Sequence, residues 1–500
     1  MMNLLDSVSK LKISIISGLL IGLAYQPWGL GFLSYVGFIP LIHLWTHNGP
    51  KINFKLGWVF GIVYNLISNY WIGMNSGTNS VIALLSLFFA VLYLSLFWST
   101  AGYVVGILNN KVNISIGFPF FIVSLEWLRS FGPLGFPWGN LALTQTKYIT
   151  LIQFVDIFGT YGVTFLVISI NVIIYNAMCN REQREILLFL VAILLIGIMI
   201  SGRSKINSIK PKTASVEIAV IQPNIDPNEK WDSSSRMRTF SFMDSLHNVA
   251  IRMEPEFILF PETALPAYIR IDKNIRKKLQ DKVDSSKIPI LIGTVDRKYG
   301  PEGEKIYFNS TIYFQPLKKY EMYSKIHLVP FAEYDLLSSI EHPLSKLNLN
   351  IDRGVFQSGR EYKVFQLGKF KFSDLICYES SFPHIARNFI KKGADILMIQ
   401  ANDGWLGRSA GPYQHFELAR LRAIENRVTI VRSGNTGISG VILPTGKVVK
   451  KVNLGQTTVF KEKIHLFKSG SLYNRFGDLF SLLCFIIFII IGPLKCILKF

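Results

Sequence analysis

Long apolar runs dominate the first two hundred residues. Seven of them, near 11–26, 29–46, 56–75, 80–107, 114–131, 150–178 and 186–201, approach the ~20 apolar residues that a helix needs to cross a hydrocarbon core of ~30 Å; an eighth lies near 476–494. No small-residue cleavage site follows the first run before the next begins, so a retained helix is expected there rather than a removed signal peptide. Between residues 202 and 474 the pattern changes. Short runs rich in branched and aromatic residues, bounded by Gly, Pro, Asn and Asp, predict strands at 216–222, 256–260, 288–295, 310–315, 371–378, 395–401, 428–434 and 439–444. Helices are predicted near 236–253 and 413–427. In the second, Leu418, Leu421, Ala423 and Ile424 share an apolar face, while Glu417, Arg420, Arg422, Glu425 and Arg427 form a solvated or paired one. Strands interleaved with helices predict an α/β layered sandwich. The chain therefore divides into a membrane part (1–201, seven spans), a globular part (202–474) and a final span (475–500).

Charge sharpens this division. Only 14 of the 86 charged residues lie in the first 201 positions, about 7% of that stretch, against about 24% in the remainder. Soluble chains run near ~25%. A plain cytosolic enzyme, a disordered chain and a disulfide scaffold are excluded. Lys and Arg gather in short cytoplasmic loops. With the N-terminus inside, the inner segments carry Lys10, Lys12, Lys51, Lys55, Lys111, Arg181, Arg184, Lys495 and Lys499, whereas the short outer loops carry only Arg129 and Lys147. That bias puts both termini in the cytoplasm and residues 202–474 outside, which in a bacterial inner membrane is the periplasm. The net charge of +20 comes with no zinc-finger, recognition-helix or RNA-binding signature, so no nucleic-acid partner is expected. The exterior part, at +14, suits an anionic lipid surface or simply solubility. Glu126 and Arg129, three apart in LEWLRS, are placed to pair, either inside the membrane or at its headgroup boundary. GPLGFPWG (132–139) predicts an interfacial loop able to shape lipid access, or an ordinary re-entrant turn.

Cysteine usage gives the first chemical lead. Cys179, Cys484 and Cys496 sit in or beside predicted spans, which leaves Cys377 alone in the exterior part. A lone thiol in an oxidising compartment is a liability unless it is used. It ends an apolar strand (DLIC) at a turn, where α/β enzymes expose nucleophiles. Two other strand ends supply partners. Glu262, in FILFPETALP, follows five apolar residues and is suited to a raised pKa and to general-base work. Lys325, in YSKIHLVPFAEY, lies among apolar neighbours with Glu333 eight residues on, and can stabilise an oxyanion.

The order Glu–Lys–Cys, in PETALP, SKIHLVPFAEY and CYESSFP, resembles the nitrilase (carbon–nitrogen hydrolase) superfamily. Seven spans before such a part and one after it resemble more specifically the apolipoprotein N-acyltransferases. Further matching motifs are EWLR with GFPWG, VIQPNIDPNEKW, NDGWLGRSAGPYQH, RAIENR and VRSGNTGISGVILPTG. The resemblance implies an αββα sandwich. It also implies a ping-pong transfer: Cys377 takes an acyl chain from a phospholipid such as phosphatidylethanolamine as a thioester. The chain is then given to the α-amino group of the diacylglyceryl-cysteine of an apolipoprotein. Glu262 would be the base and Lys325 the oxyanion stabiliser. Glu333 would support them, Tyr378 and Glu379 would match positions on the substrate path, and Trp231 would contact substrate. Asp335, Leu336 and Leu337 depart from the family's usual Val-Pro after the aromatic residue, as do Ala332 at a common Gly and Leu406 at a frequent Phe. All leave the triad intact and bear on donor preference and loop motion.

Two other readings compete. A membrane-anchored amidase or nitrilase shares the triad but has no need of eight spans. A transporter or receptor would make Cys377, Glu262 and Lys325 incidental. Absence of a Walker motif, a metal-ligand cluster and a dinucleotide fingerprint predicts no cofactor and no metal.

Overall fold

The computed structural model describes residues 7–109, 114–334, 356–467 and 470–494. Cys496, Lys111, Lys495, Lys499 and the Asp335–Leu337 departure lie outside the described residues.

The apolar first part forms helices α1 (Lys10–Ala24), α2 (Ile39–His47), α3 (Pro50–Asn69), α4 (Ser80–Leu108), α5 (Ile114–Leu128), α6 (Thr160–Cys179) and α7 (Arg184–Ser208). Three of them, α4, α6 and α7, are long and apolar enough to cross a membrane by length and composition. The outer faces of α4 and α7 are greasy: Val81, Leu84, Phe88 and Phe89 on one, Ile186, Phe189, Ile193 and Ile200 on the other, are all exposed. Apolar patches of this extent are costly in water and match a lipid surroundings. The stretch expected as a single span at 29–46 is broken. It holds a 3-10 turn, Gly31–Tyr35, and then nine-residue α2, whose ~14 Å falls well short of a bilayer. Glycine and proline punctuate it, and a Cβ on Gly31 would lie 2.0 Å from the carbonyl oxygen of Thr144. The helix expected at 186–201 runs on to Ser208.

Glu126 and Arg129 are both buried, and each turns to the chain that follows α5. Glu126 accepts from the Leu141 amide (3.0 Å) and the Thr164 hydroxyl (2.6 Å), and Arg129 donates to the Gly139 carbonyl (2.8 Å). The expected pair thus gives way to a brace on the 132–139 loop, because that loop folds back and offers nearer partners.

The globular part is an α/β sandwich. Its strands are β1 (Ser215–Gln222), β2 (Phe257–Leu259), β3 (Ile290–Tyr299), β4 (Lys305–Phe314), β5 (Glu321–Ser324), β6 (Phe365–Leu367), β7 (Phe370–Ile376), β8 (Ile396–Ala401), β9 (Thr429–Gly434), β10 (Ser439–Ile442), β11 (Val448–Val452) and β12 (Thr458–His465). They form two six-stranded sheets, ordered β12-β1-β2-β3-β4-β5 and β11-β10-β9-β8-β7-β6. The inner trios β1-β2-β3 and β7-β8-β9 are parallel, mostly buried and rich in Ile, Val, Leu and Phe, as strands covered on both faces tend to be. Polar side chains stitch the sheets face to face: Gln400 donates to the Phe260 carbonyl (2.7 Å) and Ser433 to that of Ile221 (2.8 Å). Helices α8 (Ser233–Arg252) and α9 (Lys273–Ser286) pack on the first sheet; α10 (Pro383–Lys391) and α11 (Ala410–Asn426) pack on the second. After the sandwich, α12 (Leu479–Ile489) packs against α5.

Helix α11 is buried along most of its length, Tyr413 and Arg420 excepted. It lies between the second sheet and the membrane helices, so its charged residues are buried or half-buried and paired rather than solvated. Arg422 meets Glu425 at 2.6 Å. Just past the helix, Arg427 reaches Asp156 (2.9 Å), Gln153 (2.7 Å) and the Pro444 carbonyl (3.0 Å). Losing one partner of a buried pair strands the other. Arg427→Met is expected to destabilise the protein by about 3 kcal/mol, at the low end for such a loss because Lys205 still pairs with Asp156 (2.8 Å), as measured by denaturant unfolding in detergent.

Candidate active site

Three strand ends converge. Glu262 follows β2, Lys325 follows β5 and Cys377 follows β7. Parallel-sheet folds present side chains for chemistry at such carboxyl ends. Cys377 opens a 3-10 turn, Cys377–Ser381, with φ +53°. A non-glycine residue in this left-handed region costs on the order of 1–3 kcal/mol and persists only where the surroundings enforce it. The residue keeps some solvent access.

The Cys377 thiol and the Glu262 carboxylate lie close enough to act on each other electrostatically. Glu262 accepts from Asn309 Nδ2 (2.8 Å), and its Oε1 lies 4.0 Å from Lys325 Nζ. Lys325 is almost fully buried and donates to both oxygens of Glu333, at 3.0 and 2.8 Å. The same Asn309 amide bridges to Glu333 (2.8 Å), and the Val329 amide completes that carboxylate (2.8 Å). The sequence-predicted Glu262, Lys325, Glu333 and Cys377 thus share one buried cluster. Gly359 allows it to close: it donates to the Lys325 carbonyl (2.7 Å), and a Cβ there would stand 2.1 Å from the Ser324 carbonyl oxygen.

Burial pushes the Glu262 pKa above the ordinary carboxylate value, with Lys325 pulling the other way. Burial, and then Glu262, push the Cys377 thiol well above its ordinary pKa. Burial works against the charge on Lys325, but Glu333 and Glu262 outweigh it and hold the ammonium protonated. The resting arrangement is therefore a protonated thiol facing a carboxylate that is a stronger base than usual, with a fixed cation beside them. It can take a proton from sulfur as sulfur attacks, and can stabilise negative charge on a carbonyl oxygen.

Glu379 and Tyr378 have structural partners. Glu379 is fully buried, and its carboxylate accepts from Tyr323 Oη (2.7 Å) and the amides of Ile326 (2.7 Å), His327 (3.3 Å) and Ile376 (2.8 Å). It clamps the lysine segment to the cysteine turn, and with its oxygens so occupied it holds the site rather than lining a substrate path. Burial raises its pKa to about 6. Tyr378 is also buried; it stacks on Trp138 (6.2 Å between centroids) and donates to the Gly135 carbonyl (3.3 Å). Trp231 is 42% exposed with its ring 6.3 Å from that of Tyr268, so it stands outside the buried cluster.

Several residues at the site carried no role in the sequence reading. Asn309 bridges the two carboxylates; no local signal marked it, because Lys305, Ser310 and Thr311 are polar residues of the same strand. Lys230 is buried with its ammonium on Thr263 Oγ1 (3.3 Å), and burial lowers its pKa to about 8. Behind the nucleophile, Asp403, His415 and Arg432 form a buried chain. Donor atoms of Cys377, Asp403 and His415 lie within 4.8 Å of one another, the spacing of a metal cluster. Asp403 Oδ2 is already held by the Arg432 guanidinium (2.6 Å) and both imidazole nitrogens have protein partners, so the donors form a hydrogen-bond network instead.

Both halves of the chain match known families. Residues 17–173 match the apolipoprotein N-acyltransferase N-terminal domain, and residues 217–472 match the carbon–nitrogen hydrolase family. The chain is similar to apolipoprotein N-acyltransferases of Geobacter metallireducens (31% identical, covering 94% of this chain and 92% of that one) and Rickettsia prowazekii (29%, 96% and 97%). Among solved structures, a nitrilase-superfamily amidase of Nesterenkonia is 18% identical over 55% of this chain and 98% of its own, with a TM-score of 0.41. With a relative above 30% identity along nearly its whole length and both halves matched, the chain belongs to the apolipoprotein N-acyltransferase family.

Proposed function

We propose that this chain moves an acyl chain from a phospholipid to the N-terminal amine of a diacylglyceryl-cysteine in two steps through Cys377. The observation that carries this reading is the Cys377 thiol, set in a strained turn against Glu262 with Lys325 beside it. In the first step Glu262 takes the thiol proton while sulfur attacks the ester carbonyl, and Lys325 stabilises the oxyanion. The ester C–O bond breaks, the proton passes to the departing lysophospholipid, and a thioester remains. In the second step the amine attacks the thioester carbonyl and gives its proton to Glu262. The C–S bond breaks, sulfur regains a proton, and the amide product leaves. Burial of the cluster keeps water from competing for the thioester. Phosphatidylethanolamine is the donor we favour, and we assign Trp231 to substrate contact.

Both substrates are lipid-anchored, so the site must open at a membrane surface. Contact between Tyr378 and the 132–139 loop supports this, because it joins the residue next to the nucleophile to the apolar half. We further propose eight spans in a bacterial inner membrane, the second crossing as the 3-10 turn and α2 together rather than as one helix, with the sandwich periplasmic and both termini cytoplasmic, on the Lys/Arg bias of the loops.

Membranes given labelled phospholipid are expected to yield a hydroxylamine-sensitive acyl adduct that Cys377→Ala abolishes; an active parent with no adduct would sink the thioester. Glu262→Gln is expected to slow acylation by about 10²–10⁴-fold, and Lys325→Met by about 10²–10³-fold, each in single-turnover assays. Base catalysis needs Glu262 ionised and its pKa lies above the ordinary value, so the acylation rate should rise with pH through a limb above 4.5. Removing the Lys325 charge should move that limb higher still. Leu317, 88% exposed on the sandwich, allows a topology test: Leu317→Cys in a background with the other cysteines removed should react with an impermeant maleimide from the periplasmic side of spheroplasts, and labelling only after lysis would reverse the orientation.

A further inference from the structure

Cys377 holds its left-handed turn through its own carbonyl. That carbonyl oxygen receives Ser380 Oγ at 2.9 Å and lies 3.0 Å from His415 Nε2. Ser380 Oγ lies 2.8 Å from the same nitrogen and gives its one hydrogen to the Cys377 carbonyl, so both oxygens face His415 Nε2 as acceptors and the nitrogen carries the hydrogen they share. On the other edge of the ring, Nδ1 lies 2.6 Å from Asp403 Oδ1 and 3.0 Å from Arg432 Nη2. The ring therefore either donates to Asp403 as an imidazolium or accepts from Arg432 as the neutral Nε2–H form. In both forms the Nε2 hydrogen faces the Cys377 carbonyl and Ser380 Oγ together. All four side chains, those of Ser380, Asp403, His415 and Arg432, are buried.

The preceding residue on α11 faces the membrane half. Gln414 Oε1 accepts from the indoles of Trp138 (2.9 Å) and Trp71 (3.2 Å), and its Nε2 donates to the carbonyls of Gln26 and Ser68, each at 3.0 Å. Trp138 also packs on the His415 ring, 5.0 Å between centroids, and stacks on Tyr378. Two consecutive residues of one helix thus grip the membrane half and the nucleophile turn.

We propose that His415 is a positioning residue for the thiol: oriented by Asp403 and Arg432, it fixes the Cys377 carbonyl and so keeps sulfur on Glu262, with α11 coupling that alignment to the membrane half. The proposal rests on Cys377 being the nucleophile of the acyl transfer. Two polar replacements separate this role from general structural support. His415→Gln can return an amide N–H near the Nε2 position. His415→Asn can keep a partner for Asp403 near Nδ1 but stops short of the carbonyl.

Full-length protein in phosphatidylethanolamine-containing micelles is assayed in two arms, single-turnover acylation and alkylation of Cys377 by iodoacetamide. Expected is acylation at least 100-fold slower in His415→Asn with donor KM within about twofold, acylation within tenfold of the parent in His415→Gln, and alkylation slowed at least tenfold in His415→Asn only. Equal losses in the two variants, or parental alkylation of folded His415→Asn, would overturn the proposal. Alkylation needs no lipid, so an acylation reading that failed in the parent would be told apart from a failure of the His415 role. Should His415→Asn not fold, Asp403→Asn takes its place, because it loosens the ring without touching the carbonyl; parental alkylation there would equally overturn the proposal.

Discussion

A lysine ammonium shut away from water sets the terms for the rest of this molecule. Lys325 is tolerable in the interior only because Glu333 grips it with both oxygens and Glu262 lies at 4.0 Å. An isolated buried charge of this kind would shed its proton or unfold its surroundings. The two carboxylates in turn need donors, and Asn309 and the Val329 amide supply them. These partners come from β4, the end of β2 and the chain after β5. The first sheet must therefore be complete, in register, before the site exists. Cys377 then arrives from the second sheet, which makes the sandwich interface itself a condition for chemistry.

Glu379 joins the two arrivals. With one carboxylate accepting from the lysine segment and from the amide preceding the nucleophile, it converts the closeness of two sheets into a fixed distance between two functional groups. Left-handed backbone at Cys377 is strained, and such strain survives only under several restraints at once. The restraints here come from Glu379, from Ser380 and from the buried chain behind the turn.

Helix α11 carries the connection to the membrane half. A helix with an apolar stripe and a charged stripe commonly lies on a surface. Here the charged stripe is consumed by partners: Arg422 by Glu425 within the helix, and Arg427 just beyond it by Asp156 and Gln153. An interface built on buried charges and indole–amide contacts resists sliding, because any shift leaves a polar group without its partner. The site is thereby held at a constant position relative to the apolar helices.

Much of this was legible in the order of residues. Eight strands and two helices of the sandwich, the apolar character of the first two hundred residues, and the strand-end positions of Glu262 and Cys377 follow from periodicity and from where charge is scarce. β12 and α9 carried readable alternation and helical spacing too, but lysines on their exposed faces masked it. What the order of residues could not decide was partnership. Glu126 and Arg129 sit on one helical face, yet the returning loop offered each a better partner. Glu379 had no visible distinction from a solvated glutamate until four donors closed on it. His415, Asp403 and Arg432 lie up to 29 residues apart and meet only because β8, α11 and β9 stack at one end of a sheet. Sequence by itself determined which groups could carry the chemistry and which half would seek lipid, since those follow from side-chain type and local period. Only the tertiary structure decided which charges are buried together, since the cost of burying a charge depends on what the fold brings within hydrogen-bond reach.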